Sequence, residues 1–397
     1  MTASAAPAAS PRRRPRVLQC ITRLGLGGAE RVAFSILRAL RADFDFAVFT
    51  VHGSDGGAVG AALERELAAA GIPWFRGTRL PMKAGGLIPG GFALARAVRS
   101  FRPDLVHFHS ETPEACGAAW LAFRPPAGPV ALARTIHNSI FWRYWPRIGR
   151  WCDRRLAAAA VNAVSAAAAA EFDRYRRDSG APALAAPIPT IYNGVDLAPR
   201  APAGAPRTPD LRRVLFAGRF EPQKGTDVLC AALGTVRLPA ATRGELVCVG
   251  AGAQTGLIDA LVRRPPAGWI VRRQPPVSDL SALFSSFDLA VMPSRFEGLG
   301  LVAVEATLGG LPVVATDAPG LDEALPPDYP WRAAPDDVPG LAAGLSAALA
   351  ESDRWAPVVQ AAQAFATARF APARMAADYR EFFTRGAAPA TGLIARA

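Results

Sequence analysis

The chain has 397 residues, 51% of them hydrophobic, enough for two domains with ordinary cores. Lys and Arg outnumber Asp and Glu by 45 to 33, a net charge of +12, which directs attention to phosphorylated substrates, anionic lipid headgroups or nucleic acid. Five scattered cysteines without metal-like spacing fit reduced thiols rather than a disulfide scaffold, and no run of 18 apolar residues reads as a membrane span.

Residues 1–15 place arginines after small residues and lack an apolar h-region, so a disordered basic leader is expected in place of a signal peptide. Apolar runs at 17–21, 46–51, 104–109, 130–137 and 189–192 read as strands, with helical patterns at 29–40 and 58–70 between them. The stretch 197–212 is rich in Pro and Ala without periodicity and reads as a linker. Strand-like runs resume at 214–218, 246–250, 269–271, 289–292 and 312–316. Alternation of strand and helix predicts parallel sheets covered on both faces. The expected architecture is α/β: one Rossmann-like domain over 16–196 and a second over 213–370, facing across a central cleft. A helix follows over 371–385, then a loose tail over 386–397.

Four stretches could do chemistry. In the first, Gly27 and Gly28 follow the first strand and open the first long helix, where backbone N–H groups can meet a phosphate or sugar. A tight β–α turn is the plainer reading, because Glu30 stands where a dinucleotide fingerprint has its third glycine. In the second, His107 and His109 alternate onto one side of their strand, with His109 nearer the cleft; His137 ends the next strand. Such imidazoles either bond substrate hydroxyls or pack as satisfied core histidines. In the third, Gly218 and Arg219 lead through a proline-containing turn to Lys224, one of only two lysines beside 43 arginines. A guanidinium and an ammonium on one short loop suit a diphosphate leaving group, although two solvated cations are the plainer reading.

The fourth stretch joins strand, loop and helix, with Glu297, Gly298, Leu299, Gly300 and Leu301 leading to Glu305. Ligands of open α/β sheets sit outside the carboxyl ends of the strands. Here a helix start offers N–H groups to phosphate, and two carboxylates can accept from hydroxyls. Phosphate with several hydroxyls describes a nucleotide sugar. A hydrolase pair is the competing reading. Separately, Arg143, Arg147, Arg150 and Arg154 step by four, three and four beside Trp145. That pattern fits either an anionic membrane surface or a helix with its aromatic face in the core. No nucleic-acid motif accompanies the charge.

Taken together, these motifs resemble retaining glycosyltransferases of family 4, which have the GT-B fold, over roughly residues 16–385. The resemblance rests on Glu297–x7–Glu305, on Gly218-Arg219 with Lys224-Gly225, and on Gly250-Ala251-Gly252. It also rests on residues 191–196, residues 310–316, Gly27-Gly28-Ala29-Glu30, the strand ending at His109, and Ala163-Val164-Ser165. It implies metal-independent sugar transfer from a nucleotide-diphosphate donor, UDP by default and GDP as the alternative, with no cofactor. Arg219 and Lys224 would hold the diphosphate, Glu305 the ribose, and Glu297 with the 299–301 backbone the sugar and phosphate. His109 would contact the donor sugar, and His137 would lie on the acceptor or sugar side. The helix over 371–385 would cross back to the first domain. The acceptor would be a glycan or lipid-linked sugar in bacterial envelope or exopolysaccharide synthesis at the cytoplasmic membrane face. The alternatives are a soluble acceptor and a non-catalytic donor-binding subunit.

Overall fold

Buried apolar runs build two parallel six-stranded sheets, seen in a computed structural model that describes residues 13–386 apart from 26, 143–144, 182–183, 185 and 202–207. The expected leader up to residue 12, the middle of the linker, Arg143 and the tail from residue 387 lie outside the described residues. The first sheet holds β1 (Arg16–Ile21), β2 (Asp45–Thr50), β3 (Trp74–Arg76), β4 (Leu105–His109), β5 (Ala131–Ile136) and β6 (Ala160–Ala163). Its helices are α1 (Gly28–Leu40), α2 (Ala58–Ala69), α3 (Leu87–Phe101), α4 (Glu111–Phe123), α5 (Pro146–Arg155) and α6 (Ala166–Asp178).

The second sheet holds β7 (Leu211–Ala217), β8 (Arg243–Val249), β9 (Trp269–Gln274), β10 (Leu289–Met292), β11 (Val313–Thr316) and β12 (Arg332–Ala333). With it run α7 (Thr226–Ala232), α8 (Thr255–Arg263), α9 (Leu301–Leu308), α10 (Val338–Ala350), α11 (Trp355–Arg369) and α12 (Pro372–Gly386).

The strand orders are β3-β2-β1-β4-β5-β6 and β12-β11-β10-β7-β8-β9. Counted from each domain's own first strand, the two are the same doubly wound order. Each reverses direction beside its first strand, between β1 and β4 and between β7 and β10, which is where such sheets bind ligands. The halves also share an anchor. The Asp104 carboxylate before β4 accepts the backbone N–H of Arg16 in β1 at 2.7 Å, and Asp288 before β10 accepts that of Arg213 in β7 at 2.7 Å.

The run 189–192 departs from expectation. It forms only an isolated bridge from Thr190 to Ala163. Ala163 N–H donates to Pro189 O at 3.0 Å and Ile191 N–H to Ala163 O at 2.9 Å, but proline supplies no donor to extend the ladder. Helix α12 packs on the first domain: Met375, Tyr379 and Phe383 join the core formed by Phe34, Phe44 and Phe46, and Arg380 meets Asp43 at 2.8 Å.

Helix α5 settles one choice left open by the sequence. Trp145, Ile148 and Trp151 pack against a cluster built on Ala115, Ala118, Trp142 and Cys152. Trp145 is therefore half-buried against this cluster. Arg147 and Arg154 are exposed, whereas Arg150 is half-buried. The aromatic face of this helix packs inward, and the exposed arginines lie on its outer side.

Candidate functional site

The second domain's switch point is bounded by the loop after β7 and the loop after β10. They touch at Gly225, where φ is +63° and an added Cβ would lie 1.8 Å from the Pro293 carbonyl oxygen, so only glycine lets the loops meet. The contact brings Lys224 onto Glu297, with Nζ donating to both carboxylate oxygens at 2.6 and 2.8 Å. Ser294 Oγ donates to the same carboxylate at 2.7 Å. Arg295 ties the loops from outside, with paired bonds of 2.8 Å to Asp227 and one of 2.6 Å to Asp336.

Arg219 lies exposed on the rim and donates to Gln223 Oε1 at 3.0 Å, while Gln223 Nε2 donates to Phe296 O at 3.2 Å. Lys224 and Glu297 are thus in direct contact, and Arg219 stands beside them through Gln223. Glu305 is buried on α9, in the helix that follows the β10 loop.

The first domain faces these residues. Arg31, in the first turn of α1, donates to Glu305 across the cleft. The α1 start has Gly27 as its extended N-cap. The Glu30 carboxylate folds back there, and its pKa is raised by burial, against the pull of Arg23 and of Arg219 from the other domain. Gly298 brings the backbones close: a Cβ there would stand 2.1 Å from the His137 carbonyl oxygen. Further along the boundary, Glu323 accepts the N–H groups of Ala166 and Ala167 at 2.9 and 2.8 Å, capping α6, and the Tyr192 hydroxyl at 2.7 Å.

The histidine expectation needs correction. His109 has no exposed surface. With Gln19 Oε1 as acceptor, His109 Nε2 donates at 2.7 Å, and Nδ1 accepts from His137 Nε2 at 2.9 Å. Both ring nitrogens are thus engaged, and no direct bond to substrate is open to His109 in this arrangement. The half-buried His137 occupies the cleft edge instead. His107 is structural: Nε2 bonds Thr135 Oγ1 at 2.7 Å, and the ring lies against Phe383. Burial pushes His107 and His137 down to about 3 and His109 well below its ordinary value, so all three stay neutral.

Sequence reasoning passed over Arg31, Gln19, Glu323 and Glu111. Glu111 sits just past the strand end that singled out His109. Its carboxylate accepts the Trp142 N–H, and burial pushes it up to about 7. With His137, Ser110 and Phe172 it lines a small cavity of about 10 Å³. A wider cavity of about 360 Å³ lies between the 139–141 loop, α5 and α6, off the switch points. Among the described residues, no group of three His, Cys, Asp or Glu side chains is arranged to hold a metal ion.

Among known proteins, a glycogen synthase from Mycobacterium tuberculosis is 33% identical over 276 residues, 63% of this chain and 61% of that protein. A D-inositol 3-phosphate glycosyltransferase from an Arthrobacter species is 37% identical over 168 residues, 36% of this chain and 40% of that protein. The matches thus span less than two thirds of these relatives' own length. Of solved structures, Anabaena Alr3699/HepE in complex with UDP-glucose superposes with a TM-score of 0.74 at 22% identity, covering 93% of this chain and 99% of that one. That likeness shows a shared GT-B fold. The family models described as Glycosyltransferase Family 4 and Glycosyl transferases group 1 match residues 26–199 and 212–351. One model falls on each domain and the two leave only the connecting stretch between them, so the chain belongs to the family 4, group 1 glycosyltransferases.

Proposed function

We propose that this protein transfers a sugar, with retained anomeric configuration, from a nucleoside diphosphate donor to a hydroxyl of a glycan or lipid-linked acceptor. UDP is the default donor base, and the work would be done at the cytoplasmic face of a bacterial envelope membrane. The observation that carries this reading is the Lys224–Glu297 pair on two loops of the second domain's switch point, opposite the glycine-opened start of α1. An arriving diphosphate would compete with Glu297 for the Lys224 ammonium and recruit Arg219 from the rim. Both cations would then stabilise the charge that grows on the leaving group as the glycosidic bond breaks. Glu305 would exchange Arg31 for the ribose hydroxyls. Glu297, with the backbone of Gly298, Leu299, Gly300 and Leu301, would hold the sugar and phosphate. Gly218 would leave the diphosphate room beside the β7 loop, and Gly27 and Gly28 would face it from α1. His137 would meet the reacting sugars, with His109 and Gln19 fixing its ring. That makes His109 a positioning residue in this reading.

The relatives support the donor assignment: one was crystallised with UDP-glucose, and others are named glycogen synthase. The latter name also favours a second reading, a soluble glucan acceptor. The test is a panel of UDP- and GDP-sugars scored by thermal shift and by nucleotide release with lipid-linked and glucan acceptors. One base should stabilise the protein, and Lys224→Ala should slow release by the 10²–10³-fold typical of losing one such donor. A Lys224→Ala rate equal to wild type would remove the assignment. Release with glucan but no lipid acceptor would select the second reading.

A further inference from the structure

We propose that the exposed face of α3, with the end of α4, docks on an anionic lipid surface. Among the described residues seven large apolar side chains are exposed, and four gather here: Leu80, Ile88, Phe92 and Phe123, at 49%, 49%, 43% and 54%. Scattered apolar exposure is ordinary, but four bulky groups on one face are not. Helix α3 packs side by side with α4, and the Arg124 guanidinium lies 5.4 Å from the Phe92 ring, which places Phe123 and Phe92 in one patch.

The charge pattern identifies the partner. Ile88, Phe92, Arg96 and Arg99 are spaced by four, four and three and share one stripe of α3. Arg79, Lys83, Arg96, Arg99 and Arg102 are all exposed, and residues 77–103 contain no Asp or Glu. The acidic residues of α2 lie elsewhere, because α2 packs through Leu63 and Leu67 on the opposite side of the sheet. The carboxylate of Glu114 on α4 is buried against Arg134. A protein partner would be expected to meet mixed charges. A surface of bulky apolar groups rimmed only by cations complements a bilayer, whose acyl boundary takes the rings while its phosphates take the guanidinium groups. Arginine stems can lie along the apolar layer with their heads in the headgroup region.

The placement suits the function. Helix α3 follows β3 and so starts at the strand ends that face the cleft. Leu80 and Ile88, at that start, would hold the bilayer beside the side from which an acceptor enters. The inference rests on the membrane part of the proposed function and is independent of donor chemistry.

The test is flotation of the full chain with phosphatidylcholine vesicles, alone or with phosphatidylglycerol. We expect co-flotation only with the anionic vesicles. Ile88→Glu/Phe92→Glu and Arg96→Gln/Arg99→Gln should each reduce it about tenfold or more. Arg147→Gln/Arg154→Gln on α5 should leave it unchanged. Because the substituted side chains are exposed, the nucleotide-induced thermal shift should persist in every variant and serves as the control for folding. Equal recovery with both vesicle types, or loss of flotation through the α5 variant alone, would overturn the proposal. So would sedimentation showing that Ile88→Glu/Phe92→Glu dissolves a dimer while flotation persists, since the patch would then belong to a second copy. A lost thermal shift in wild type would instead fault the donor reading.

Discussion

Lys224→Met isolates the central pair. Its side chain is 16% exposed and that of Glu297 6%, with two contacts at 2.6 and 2.8 Å. Removing the ammonium leaves Glu297 buried, with the Ser294 hydroxyl as its remaining donor. Breaking a buried pair costs about 3–5 kcal/mol. The partial exposure of Lys224 reduces this to about 2–4 kcal/mol. For domains of this size that corresponds to roughly 5–15 °C in the second domain's melting temperature. Lys224→Met/Glu297→Leu removes the orphaned charge as well, so it should regain most of the loss and give a favourable coupling of roughly 2 kcal/mol in the double-mutant cycle. Calorimetry with and without UDP separates stability from binding. UDP should raise the wild-type melting temperature and fail to raise that of either variant. Strictly additive single and double variants would show that the two side chains are not coupled. A UDP shift surviving in Lys224→Met would show that the ammonium does not hold the diphosphate.

Two further outcomes follow from buried charge. Arg134, with no exposed surface, holds Glu114 at 3.0 and 2.7 Å and Asp153 at 2.9 Å, tying β5 to α4 and α5. Arg134→Met strands Glu114 and leaves Asp153 with Arg176 at 4.0 Å, and should cost about 3–5 kcal/mol in urea unfolding; a loss under about 1 kcal/mol would contradict the network. The histidines predict acid sensitivity. Burial holds His107 and His137 near 3 in the fold, while the unfolded chain protonates near 6.5. The unfolded state thus binds more protons below pH 6.5, so stability is complete above that value and falls as pH drops toward 3. At pH 5 the loss is about 2 kcal/mol for each of these two histidines. His107→Asn should flatten the fall in melting temperature between pH 6.5 and 5, and an unchanged slope would refute its share.

Much of this was legible in the chain because parallel strands buried on both faces read as continuous apolar runs, and because glycine and charge cluster where strand meets helix. The motifs around Lys224 and Glu297 reported a loop geometry that only glycine at 225 permits. What stayed hidden depends on contacts distant in sequence. Strand β3 has three residues and β12 has two, and they exist through their neighbours rather than through their own pattern. The Arg31 contact with Glu305 spans 274 residues, and nothing local marks it. His109 looked available because it ends a strand, yet its partners Gln19 and His137 come from β1 and from the end of β5. Alternation showed which side of the sheet the ring occupies but not what covers it. On α5, periodicity identified an aromatic stripe and left open what it faced, and the apolar cluster under Trp142 and Cys152 supplied the answer.

The boundary between the halves is held by two kinds of contact. Glu323 spans it with two backbone N–H groups at the start of α6 and a tyrosine hydroxyl, none of which the proposed donor needs. Arg31 across the boundary, and Lys224 within the second domain, by contrast neutralise the carboxylates that the proposed donor would use. The Arg31 side chain is 54% exposed, so its release from Glu305 trades one solvated partner for water and costs little. Glu297 in the Lys224 pair is buried, and the pair is worth giving up only to a ligand that returns equal or greater charge to the ammonium. In the proposed reading a neutral sugar would displace Arg31 from Glu305 but would not open the pair at the β7 loop, whereas a diphosphate would. If the proposed donor binds here, this difference would favour the nucleotide-linked sugar over the free one.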